Sequence, residues 1–325
     1  MTARRLAAVL ALFAAAAAAP AHASATPAPP CPPVAPVPTP ELAAAGMRAA
    51  VDHGPLWKAT RDGRAVYLYG TIHVAQQAWM YPGPRLRRAI QASDAIALEL
   101  DLTDRDILGR LQKAVLRTPR TPVLPEPLQQ RLQASMAAAC MAPATLAPLR
   151  PEMQAVTLEV MQGRSFGLFP EFGIDTSLAQ VARGLGKPVR SLETPESQAA
   201  LLVSDDPAET ARAVGAVLDE LDAGRAPAML KRLAADWVRG DVDDIAAYAS
   251  WCGCLDTPGQ REDFDKLIRD RNPLMAERIV QWHEQGQSLF VAVGTLHLVG
   301  PLGLPTLLKA RGFQVERVSY DADAR

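Results

Sequence analysis

Two eight-residue runs constrain this chain more than any other feature. Val66-Tyr67-Leu68-Tyr69-Gly70-Thr71-Ile72-His73 stands near the front, and Phe290-Val291-Ala292-Val293-Gly294-Thr295-Leu296-His297 near the end. Each is a short β-rich apolar run followed by Gly-Thr-apolar-His. A run of that kind reads as a strand buried on both faces, which is a strand of a parallel sheet. In open parallel sheets, ligands sit beyond the carboxyl ends of the strands. The repetition therefore predicts that both strands share one sheet and aim both histidines at one site. The plainer reading of either histidine alone is a hydrogen-bonded core residue at a strand–loop junction. His22, His53 and His283 lie outside the motif.

The remaining chain divides into three parts. Arg4 and Arg5, the Ala-rich run Leu6 to Ala19, and Ala21-His22-Ala23 read as a signal peptide over residues 1–23, cleaved near Ala23. The mature protein is then periplasmic or secreted. Residues 24–54 form an Ala/Pro-rich linker with a short helix in Glu41 to Gly54, and eight prolines fall between Pro27 and Pro40. Residues 55–320 are the folded domain. No later run is apolar enough for a membrane span. A net charge of −1 with both signs scattered argues against nucleic acid. Cys31, Cys140, Cys252 and Cys254 allow three pairings. In an exported chain they read as structural disulfides rather than a redox or metal pair. Neither their connectivity nor the oligomeric state follows from the sequence.

The domain opens on a predicted hairpin, with Asp62-Gly63 as its turn. Further strands are expected at Asp94 to Leu100, Val189 to Glu193, Gln287 to Gly294 and Gln314 to Ser319. Between about residue 103 and residue 250 the periodicity is mostly helical, with Thr103 and Asp175 as candidate helix caps. The fold class expected is α/β, a central and mostly parallel sheet with a large helical insertion.

Two acids fall at strand ends, Glu99 in Leu98-Glu99-Leu100 and Glu193 in Leu192-Glu193-Thr194. Neutral imidazoles with one or two carboxylates suit a divalent metal. They equally suit a metal-free site with histidine as general base. Arg271 and Asn272 precede a helix and could meet an oxyanion. Their plain reading is a surface cluster with Asn272 as helix cap. No G-x-S-x-G, H-E-x-x-H or P-loop is present.

Tyr69 to His73, Leu98-Glu99-Leu100, Phe172-Gly173-Ile174-Asp175, Leu192-Glu193-Thr194 with Glu196 and Gln198, Asp270-Arg271-Asn272 with Met275, and Val293 to Leu298 occur in this order. With them the chain resembles the TraB/PrgY/GumN family, related to the Tiki membrane-tethered proteases that act on Wnt proteins. The resemblance implies an α/β core like that of erythromycin-esterase-like and ChaN-like proteins. It also implies a divalent-metal-dependent hydrolase. Carried over, His73, His297 and Glu99 are the expected metal site for Mn²⁺, Co²⁺ or Zn²⁺, with Glu99, Glu193 and Arg271 as catalytic residues. The expected function is an exported hydrolase of a peptide or another amide or ester bond. A periplasmic protein that binds a peptide or small molecule without cleaving it, and a metal-independent hydrolase, stand as alternatives. The chain lacks the Tiki anchor, so the Tiki substrate does not carry over.

Overall fold

The computed structural model describes residues 31–320. The expected signal peptide lies outside the described residues. Six strands form one sheet: β1 (Leu56–Arg61), β2 (Arg64–Thr71), β3 (Ala95–Leu98), β4 (Val189–Ser191), β5 (Leu289–Gly294) and β6 (Gln314–Arg317). Their order across the sheet is β4-β3-β5-β2-β1-β6. The β4/β3, β3/β5 and β5/β2 pairings are parallel, and β2/β1 and β1/β6 are antiparallel. The protein is α/β, with a mixed sheet whose parallel half carries the site.

The β1–β2 hairpin turns at Asp62 and Gly63, with φ of 52° and 72°. Two successive positive φ values give a turn whose twist matches that of the flanking strands. β1 and β2 then pair from Leu56 opposite Tyr69 to Arg61 opposite Arg64. The central strands bury both faces. Along β5, Phe290 and Ala292 pack into one apolar cluster with Tyr69, Ile96 and Leu98. Leu289, Val291 and Val293 pack into another with Leu68, Ala97 and Ile279. This alternation is the period of two that a strand imposes. Each large aliphatic side chain so buried contributes about 1.5–3 kcal/mol.

The expected insertion is helical, broken by β4, and builds a third cluster around Leu132, Met136, Leu158, Val214 and Leu218. It is anchored on the sheet by Trp237, in the helix Arg225–Arg239. The buried Trp237 indole Nε1–H donates to the Gly70 carbonyl at 2.7 Å. Cys31 is paired with Cys140, and Cys252 with Cys254. The second pair closes a local loop and does not join separate helical regions. Among the described residues, no helix is long and apolar enough to cross a membrane.

Three expected caps differ. The helix Arg105–Val115 is capped by Asp104, whose carboxylate accepts from the Asp106 and Ile107 N–H groups. Thr103 instead donates to Asp101. The helix Ile174–Gly184 begins after Gly173, and Asp175 is its second residue. The helix Asn272–Glu284 has Arg271 at the cap position and Asn272 inside its first turn. The side chains of Asp175 and Asn272 are engaged elsewhere, as described next.

Candidate functional site

Parallel pairing puts the carboxyl ends of β4, β3, β5 and β2 along one edge of the sheet. Glu99 directly follows β3, and Glu193 comes two residues after β4. His73 comes two residues after β2, and His297 lies in the turn Thr295–Leu298 after β5. Four adjacent strands at about 4.8 Å spacing span about 14 Å. The two Gly-Thr-x-His motifs are offset by one residue, since Thr71 rather than Gly70 lies opposite Gly294. They also differ in surroundings: the His73 side chain is 71% exposed and that of His297 only 2%.

Arg271 ties the acids together. Its Nε–H donates to Glu193 Oε1 (2.9 Å), and Nη2 donates to Glu99 Oε2 and Glu193 Oε2. Nη1 donates to the Leu267 carbonyl (2.6 Å) and faces His297 Nε2 at 3.3 Å. Guanidinium carries five N–H donors, and all five have acceptors here. Arg271 in this state is a clamp on two carboxylates with no donor left for an oxyanion. The Gln198 amide adds donors to Glu193 (2.9 Å) and Glu99 (3.3 Å). The Gly294 N–H fixes Glu99 Oε1 at 2.8 Å. Glu193 makes no hydrogen bond to a histidine among the described residues.

Each histidine is held through Nδ1. His73 Nδ1 meets Asp175 Oδ2 at 2.9 Å, and the other Asp175 oxygen accepts from the Thr71 hydroxyl at 2.6 Å. His297 Nδ1 meets Asn272 Oδ1 at 2.6 Å. The Asn272 amide nitrogen donates to the Leu302 carbonyl (2.8 Å), which fixes its oxygen as the acceptor toward His297. His297 therefore carries its proton on Nδ1, and the Nε2 lone pair turns toward Arg271 and Glu99. Glu99 Oε1 lies 3.8 Å from that nitrogen.

Electrostatics follow from these contacts. The Asp175 charge, opposed by desolvation and aided by the hydrogen bond, raises the His73 imidazole to about 9. Burial pushes His297 below its ordinary value, the Glu99 charge opposing and Arg271 assisting, so it stays neutral near pH 7. Burial on its own would raise Glu99. The neighbouring His297, Arg271 and His73, with the Gly294 N–H, outweigh it and hold the carboxyl at about 2.

The cluster lies where two cavities meet. One, of about 240 Å³, has Glu99, Arg271 and both histidines on its wall. The other, of about 290 Å³, shares His73 and Glu99 and adds Asp175 and Gln198. Larger cavities of about 330 and 420 Å³ elsewhere contain no histidine. Volume alone does not select the site; its side chains do. Among the described residues, no three His, Cys, Asp or Glu residues stand close enough to hold an ion together.

Residues 55–317 match the model of the TraB/PrgY/gumN family, over most of the chain. The chain belongs to that family. It is also 29% identical over 260 residues to the uncharacterized protein YbaP of Escherichia coli (strain K12), covering 76% of this chain and 88% of that protein. YbaP of Shigella flexneri gives the same figures. No solved structure matches the chain. The family motifs read from the sequence all fall at the strand-end edge or beside it. Glu99, Glu193, Arg271 and His297 form one connected network, and His73 lines the same cleft through its own partner. Asp175 and Gln198, which the motif reading left without a role in the site, and Asn272, read there as an oxyanion partner or helix cap, instead contact the histidines and the two acids.

Proposed function

We propose that this member of the TraB/PrgY/gumN family is a metal-dependent hydrolase of peptide or other amide or ester bonds, working outside the cytoplasm. The anchoring of the two histidines carries this reading. Each gives its Nδ1 side to a fixed oxygen, and His297 turns Nε2, which also faces Arg271 Nη1, toward the ionised Glu99 at 3.8 Å. Metal-ligating histidines are held in that way, and the second contact raises their basicity. His73, His297 and Glu99 would hold Mn²⁺, Co²⁺ or Zn²⁺. Imidazole nitrogens and a carboxylate oxygen are a fitting donor set. An ion held by all three requires His73 to close on the other two.

When bound, such an ion would lower the pKa of a water and polarise a substrate carbonyl. The chain's own residues would do the rest. Asp175 orients His73, and Asn272 fixes the tautomer of His297. Arg271 clamps Glu99 and Glu193 together and helps keep Glu99 ionised. In the overall step water oxygen bonds to the carbonyl carbon, the C–N or C–O bond breaks, and the leaving atom takes a water proton. The Arg4 to Ala23 run supports export as the route to the working compartment.

The test is metal content by mass spectrometry after loading with each ion. Wild type should retain about one equivalent, and His73→Ala/His297→Ala almost none. Equal content in the two proteins would sink the metal role. The Asp175–His73 pair also favours a second reading, in which His73 moves the proton without metal. Cleavage unaffected by chelators would select it, and peptides bound but left intact would select a binding protein.

A further inference from the structure

The 240 Å³ cavity beside the cluster is chemically one-sided. Away from His73, Glu99, Arg271 and His297, its wall carries no charged side chain. Val160 and Leu230 come from the insertion helices Pro151–Met161 and Arg225–Arg239, Leu233 from the second of these, and Ile268 from the residue after the helix Pro258–Leu267. Ala234 adds to the insertion's share, and Ile72, Val74 and Leu296 line that wall from the sheet side. The charged groups are thus supplied at the strand ends or beside them, and the apolar wall is shared between the helical insertion and the segments that follow the strands and the helix Pro258–Leu267. The second cavity, which shares only His73 and Glu99 with the first, is lined by Asp175, Thr176 and Gln198 along with apolar groups.

We infer that the 240 Å³ cavity is a specificity pocket for one large apolar substituent adjoining the carbonyl that meets the cluster. A substrate so placed keeps its polar atoms at the strand ends and removes only apolar surface from water. A charged side chain in the same place would be desolvated without a partner. The volume is below the ~300–1,000 Å³ of sites that enclose a whole drug-sized ligand. It therefore takes a single substituent, and the remainder of the substrate extends through the second cavity. This assignment rests on the hydrolase reading for what the carbonyl meets, but not for what the pocket binds.

The experiment is calorimetric titration of the full chain with four blocked pentapeptides. They differ only in a central leucine, phenylalanine, lysine or aspartate, and mass spectrometry of the same samples reads cleavage. Leucine and phenylalanine peptides should bind about tenfold to a hundredfold tighter than the charged pair, the range expected for burying one such side chain. Leu233→Gln and Ile268→Gln, each shown folded by its thermal melt, should each cut that preference severalfold. Equal affinity for all four peptides, binding of none, or a preference that survives both substitutions would overturn the pocket. Apolar peptides bound but never cleaved would leave the pocket standing and remove the hydrolase. Cleavage without regard to the central residue would do the reverse.

Discussion

A single hydrogen bond joins His73 to Asp175, and the charge behind it sets the proton affinity of the ring. In Asp175→Asn, the metal-free His73 should titrate well below the value of about 9 it has beside the carboxylate. Imidazole Cε1–H resonances followed against pH measure this, and a titration left near 9 would remove Asp175 from the account. The same substitution should weaken metal affinity or activity about 10–100-fold, the usual effect of losing such an outer partner. Glu99, Glu193, His73 and His297 were legible because a buried strand announces its own end, and a polar residue just beyond it stands out. Asp175 and Asn272 were not. Both residue types favour helix starts, and both stand at one. Only the tertiary contacts, across 102 and 25 positions, reveal that their oxygens serve histidines.

At the level of the strands, the repeated glycines have different reasons to exist. Neither has a positive φ, so the turn does not demand them. A Cβ on Gly70 would sit 2.7 Å from Thr295 Oγ1 and 2.8 Å from Pro55 Cγ. On Gly294 the nearest atoms are Glu99 Oε1 at 3.4 Å and His297 Cδ2 at 3.5 Å, and φ is −48°. Gly70→Ala should therefore lower stability by about 1–3 kcal/mol, as overpacking does. Gly294→Ala should be neutral or gain about 0.4–1 kcal/mol from the stiffer unfolded chain, and perturb the site instead. Urea unfolding of both variants decides this, and equal losses would contradict it. The hairpin, the two histidine strands and the helical insertion could all be read from local pattern. Strand order could not, because β3 and β5 pair over nearly two hundred residues, and no local signal encodes a neighbour.

Across the whole molecule, the histidines pull stability in opposite directions with pH. His283 is fully buried against Phe313, at 4.8 Å between ring centroids. Burial, with Arg64 and Arg61 nearby, holds its pKa below the ordinary value. Its contribution is present above about pH 6.5 and is lost as pH falls toward its folded pKa, because the unfolded chain binds the proton first. His73 has the other sign: its raised value gives stability present below about pH 6.5 and lost as pH rises through 9. Between pH 6.5 and 5.0, wild type should lose stability relative to His283→Leu. Denaturant unfolding at each pH measures the difference, and parallel curves would contradict it.

The fold gathers both histidines, the ionised Glu99 and the Arg271 clamp at one edge of one sheet, and hydrolysis is the activity proposed for them. Turnover of a blocked peptide library, with Mn²⁺, Co²⁺ or Zn²⁺ supplied, tests that claim most directly on wild type and Glu99→Gln. Wild type should cleave and Glu99→Gln should be slower by about a hundredfold or more, with both proteins shown folded by thermal melts. An intact library with wild type, or equal cleavage by the two proteins, would contradict the account.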